Sequence, residues 1–152
     1  MIKIHFSIFD EVLKLGENNI KAYIGKGQAL FGLNKINESI EEYDKALNLE
    51  PNNKYAICSK ANSLMRNVQK EEALDLYQKG IDFNNDEKIN CMDLINYIFC
   101  LIEMKKIDEV KDKVDKAEKL YEKQKVELNE KERNFFEKNI EKIKRKNKRL
   151  FK

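Results

Sequence analysis

A stretch that recurs at a fixed interval restricts a chain more than its composition can. Each copy must fold as the same small unit and bury its apolar side against the next copy. Shifted by 34 positions, Phe9, Val12, Leu13 and Leu15 fall on Tyr43, Ala46, Leu47 and Leu49. The same shift carries Ser39, Tyr43 and Ala46 onto Ala73, Tyr77 and Gly80. A third echo sets residues 30–38 on 101–109, a shift of 71, or two periods and three extra residues. The polar link Asn84, Asn85, Asp86, Glu87 has room for those three.

Within each period apolar residues return at helical spacing on two successive segments. Tyr23, Gly27 and Leu30 mark one helix, and Ile40, Tyr43, Ala46 and Leu47 mark the next. Residues 34–37 form the turn between them, and Pro51 closes the unit because it cannot continue a helix. Small residues at Gly27 and Ala61, and at Ala46, Ala73 and Gly80, allow close helix approach, while Tyr43 and Tyr77 fill the space between. Composition agrees. One Pro and five Gly in 152 residues leave few breakers, which disfavours long strands and Gly-rich phosphate loops. Charged residues make up 38%, against about a quarter in a typical soluble domain, and imply solvated helix faces. At 41% hydrophobic the chain is too apolar for general disorder, yet it has no uninterrupted apolar run of about 18 residues that could span a membrane.

A 34-residue helix-turn-helix of this kind resembles the tetratricopeptide repeat (TPR) family, with repeats at 20–53, 54–87 and 91–124. Tyr23, Gly27, Leu30, Ser39, Tyr43, Ala46 and Pro51 match the family's pattern in the first repeat. Ala61, Leu64, Ala73, Tyr77 and Gly80 match in the second, where Asn85 takes the proline's place. The third departs most, with Ile98 and Val110 in place of small residues and Leu101 and Ala117 retained. The expected fold is an all-α solenoid of about three TPR-like hairpins. An orphan helix within 1–19 precedes them, and a long capping helix with a basic tail, 125–152, follows. His5, the chain's single histidine, stands where later units hold Ser39 and Ala73, and is read as capping an open end. Phe135 and Phe136 are expected to lie on the third repeat.

The resemblance implies a concave groove lined by first helices. Its candidate binding residues are Ile24, Gln28, Phe31, Tyr55, Cys58, Asn62, Met65, Met92, Ile95, Asn96 and Phe99. Few of them are charged, and adaptable Met and aromatic side chains suit an apolar or amphipathic peptide. The rival occupant is the chain's own C-terminal helix. Some family members hold a terminal carboxylate between two Asn and several cations. Asn62 and Asn96 are comparable to the Asn pair, but Cys58 stands where the first cation belongs, so a carboxylate would lack charge-assisted bonds.

The tail is charged differently from the body. Residues 141–152 carry a local charge of +6, so within a chain of +3 the preceding 140 residues carry −3. Lys142, Lys144, Arg145, Lys146, Lys148 and Arg149 are read either as a solvated helix end favoured by the dipole or as a contact for nucleic acid or an anionic membrane. A homodimer through the first helix is a further alternative, since Phe6, Phe9, Val12 and Leu13 need cover. No Gly-rich loop, nucleophile elbow or His-based metal cluster is present in the sequence. The reading is therefore a non-catalytic adaptor or co-chaperone-like scaffold with a protein or peptide partner and no cofactor. Three reduced cysteines and the absence of an export signal at the start suggest a cytoplasmic protein, with the nucleus as the alternative.

Overall fold

The computed structural model describes residues 9, 11, 12, 16, 18–81 and 91–152. Phe9, Glu11 and Val12 are helical, and seven helices follow among the described residues. They are α1 (Ile20–Gly32), α2 (Ile36–Leu49), α3 (Lys54–Arg66), α4 (Lys70–Gly80), α5 (Cys91–Glu103), α6 (Ile107–Gln124) and α7 (Glu130–Lys146), with a 3₁₀ turn at Lys148–Leu150. No strand occurs among the described residues, so the fold is all-α, of the helical-repeat solenoid class. The helices pair in order as the hairpins α1–α2, α3–α4 and α5–α6. The chain forms two compact units, Met1–Ile81 and Asp82–Lys152. His5, Phe6 and Leu13 lie outside the described residues.

Local chemistry starts and stops each hairpin. Asn19 and Asn53, one period apart, cap α1 and α3 by accepting the amides of Ala22 and Ala56, each at 3.0 Å. Asn129 opens α7 with a reciprocal capping box to Glu132. Each first helix ends in the same six-residue closure. The amides of Lys35, Gln69 and Lys106 donate back to the carbonyls of Leu30, Leu64 and Leu101, each at 2.9 Å. That closure requires a left-handed residue just before the returning amide. Asn34, Val68 and Lys105 supply it with φ of 62°, 63° and 59°.

Packing explains the small residues. A Cβ on Gly27 would come within 2.5 Å of the Tyr43 ring, so α1 and α2 approach closely where no side chain intervenes. A Cβ on Gly80 would meet Ile57 at 2.8 Å and the Cys58 sulfur at 3.0 Å, which seats α4 on α3. Ala46, Ala61 and Ala73 are fully buried around the same contacts. Between α2 and α3, Ser39 and Ser63 satisfy each other through a buried hydroxyl pair at 2.9 Å. In the second unit Ile98 and Val110 replace the small residues, and both are buried together with Leu101 and Val114.

The C-terminal helix covers the second unit. Phe136, Ile140 and Ile143 of α7 are buried, and Phe136 stacks on Tyr121 of α6 at 4.2 Å between centroids and 7° between planes. The Tyr121 hydroxyl donates to Glu137 at 2.6 Å, and Lys144 pairs with Glu118 at 2.6 Å. Phe135 does not join its neighbour; it stays 45% exposed. Two adjacent residues on a helix point about 100° apart, so one core cannot take both rings.

Candidate functional site

In the first unit the candidate face is built by α1 and α3, the first helices of their hairpins. Ile24, Gln28 and Phe31 recur on one side of α1, and Tyr55, Asn62 and Met65 on one side of α3. Gln28 is exposed, while Ile24, Phe31, Asn62 and Met65 are half-buried. Tyr55 stands out at 76% exposure, an aromatic ring almost wholly in solvent. The helices are tied at one end by Arg66. Its guanidinium lies 4.6 Å from the Phe31 ring centroid, donates to the Asn34 side chain at 2.8 Å and reaches the Phe31 carbonyl at 3.4 Å. The face thus ends in an aromatic ring with a cation on it, a feature that the pattern of apolar residues alone did not reveal.

Two candidates point elsewhere. Cys58 is 5% exposed and packs its sulfur beside Gly80, so it holds the hairpin together rather than meeting solvent. Asn62 accepts a short hydrogen bond from the Tyr77 hydroxyl, which engages its carbonyl oxygen. Burial of Tyr43 pushes its phenol up to about 12, in keeping with a core role.

The second unit places Met92, Asn96 and Phe99 half-buried on α5, while Ile95 has no exposed surface and contributes to the core. Asp93 stands half-buried among them, and burial raises its carboxyl to about 6. Burial likewise pushes the Cys91 thiol up to about 11, which disfavours the reactive thiolate. Cys58, Cys91 and Cys100 are all buried thiols outside any disulfide.

At the basic end, Lys142, Arg145, Lys146, Lys148 and Arg149 are exposed. Lys144 is not available in the same way, since it holds Glu118 and lies 5.6 Å from the Phe151 ring centroid. The last turn of α7 holds Lys144, Arg145 and Lys146 beside unpaired carbonyls, where positive charge is favoured. Among the described residues no group of three or more His, Cys, Asp or Glu is placed to hold a metal ion. Among them, too, no helix is long and apolar enough to cross a membrane. Phe9, one of the residues expected to seek cover at the first helix, rests its ring against Gly25 of α1.

Comparison with known proteins agrees with this architecture. The family model of the tetratricopeptide repeat matches residues 20–53, the hairpin of α1 and α2. No curated protein sequence matches the chain. Among solved structures, YrrB, described as a TPR protein with an unusual peptide-binding site, superimposes with a TM-score of 0.68 at 19% identity. That match covers 75% of this chain but only 57% of YrrB. MamA superimposes with a TM-score of 0.66 at 19% identity over 94% of this chain and 89% of its own. A second MamA structure gives 0.65 at 16% identity over 95% and 83%. Residues 20–53 are thus matched as a tetratricopeptide repeat, and the likeness to these structures shows an all-α helical-repeat fold of the same kind.

Proposed function

We propose that the protein is a non-catalytic interaction module that binds a peptide or a helix on the α1–α3 face of its first unit. The observation that carries this reading is Tyr55, which at 76% exposure on a first helix is the most exposed aromatic residue among the described ones. Large rigid rings at a surface are costly to leave wet and serve as anchors in recognition, where they lose little conformational entropy. Ile24, Phe31 and Met65 add partly exposed apolar surface on the same two helices. Arg66 over Phe31 adds a cation at one end, which favours a ligand that carries an acidic residue beside its apolar anchors. The description of YrrB as having a peptide-binding site supports the same use of the fold. A co-chaperone role through a terminal-carboxylate clamp is less well supported, because Cys58 is buried and Asn62 is engaged by Tyr77.

The test is selection of peptides from a displayed library, followed by affinity measurement on the purified chain. Replacing Phe31 and Tyr55 together by Ser should weaken the selected peptides at least about tenfold, as expected for losing two aromatic anchors. Far-UV circular dichroism should not change. Equal affinity in the double variant would remove this face as the binding site.

A further inference from the structure

α7 carries a second stripe besides the one it buries. Phe136, Ile140 and Ile143 face the core. On the other side, at alternating spacings of four and three, stand Lys131, Phe135, Lys138, Lys142 and Arg145, every one exposed. At 1.5 Å per residue this stripe runs for about 21 Å along the helix. None of its four cations makes an ion pair or side-chain hydrogen bond among the described residues, although the chain is rich in carboxylates. The cation that does pair across the unit is Lys144, which lies off the stripe. On α7 itself, Glu130, Glu137 and Glu141 follow a flank about a quarter of the circumference away, and Glu137 is held by Tyr121. Packing of Phe136 on Tyr121 fixes the helix, so the stripe is presented on a rigid support.

We propose that this stripe is a binding surface for single-stranded nucleic acid. The four cations run along the phosphate backbone, and Phe135 offers a ring on which one base stacks. Unengaged cations in a line are what a polyanionic backbone neutralises, and an aromatic ring among them is what an unpaired base can use. Lys148 and Arg149, exposed just beyond the helix, extend the positive track. A lipid surface fits less well. An interfacial helix inserts a broad apolar face, and the apolar face of α7 is already buried, leaving Phe135 as a single outward ring. An acidic protein surface would answer the charges but give Phe135 no flat partner. The proposal involves α7 alone and is independent of peptide binding on α1 and α3.

The experiment uses the full chain and a fluorescent oligonucleotide of about 15 nucleotides, read by anisotropy. Single-stranded RNA or DNA should bind, and affinity should fall between about 50 and 200 mM salt with a log–log slope of about −3, as four phosphate contacts require. Lys138→Glu with Lys142→Glu should lower affinity at least about tenfold. Phe135→Leu should weaken the single strand about tenfold while changing duplex binding little. These side chains are exposed, so the thermal midpoint should hold, and Tyr55→Ser should leave oligonucleotide affinity unchanged. No binding at the lower salt, or unchanged affinity after charge reversal, would overturn the proposal. So would tighter binding to phosphatidylserine vesicles than to the oligonucleotide. A neutral Phe135→Leu would overturn the assignment to single strands.

Discussion

Val68 occupies a backbone conformation that its side chain resists. Its φ of 63° lies in the left-handed region, where a β-branched residue is strained, and its side chain is 72% exposed and packs against little. One repeat earlier the same turn position holds Asn34, a residue that tolerates that region. Val68→Asn should therefore stabilise the protein by about 1 kcal/mol and raise the thermal midpoint by about 2–4 °C. A lower midpoint would show that Val68 makes a contact worth more than its strain. Asp93 offers a pH-dependent counterpart. Burial raises its carboxyl from 3.8 to about 6, so the folded state holds the proton more tightly than the unfolded state. The associated stability is fully present below the unfolded value and is lost as pH rises through about 6. Asp93→Asn should remove that loss, stabilising the protein at neutral pH by about 1–2 kcal/mol once partial solvation is allowed for. Denaturation at a series of pH values checks it, the variant showing a flatter profile between about pH 4 and 6.

Helix pairing was the part of the fold most legible in the sequence, because close approach leaves a trace in residue size. Gly27 and Gly80 could be read as contact points, since a Cβ at either would collide with Tyr43 or with Ile57 and Cys58. Gly27→Ala should cost about 1–3 kcal/mol, whereas Gly16→Ala, with nothing within 4 Å of the added carbon, carries no packing penalty. Comparing the two thermal midpoints tests the size argument directly. The candidate site was less legible. Periodicity gave the faces of α1 and α3, but the guanidinium of Arg66 comes to Phe31 from 35 residues away. Only packing could show that contact. The family resemblance also placed Cys58 and Ile95 among groove residues, although Gly80 admits Cys58 into the hairpin and Ile95 is wholly buried. Phe135 and Phe136 pose the same difficulty. Adjacent aromatics are equivalent in sequence, and only the docking angle of α7 decides that Phe136 goes in and Phe135 stays out.

A repeat protein is held together mainly by contacts between neighbouring elements, so a defect should be felt near where it is made. This chain has a clear place to test that rule. The helix α7 closes the second unit, Asp82–Lys152, through Phe136, Ile140 and Ile143. Phe136 is 2% exposed and stacked on Tyr121, so Phe136→Ala removes a large buried ring and should cost about 3–5 kcal/mol in the unit that contains it. The Glu118–Lys144 pair remains, but it is partly exposed, and such a pair contributes no more than about 1 kcal/mol. Hydrogen exchange should then show α5, α6 and α7 losing protection together, while α1 to α4 keep theirs. An equal loss across all seven helices would instead mean that the two units unfold as a single cooperative body. The same variant separates the two surfaces by function. Loosening α7 should disturb a ligand carried on its outer stripe, while a peptide on the α1–α3 face should bind as before.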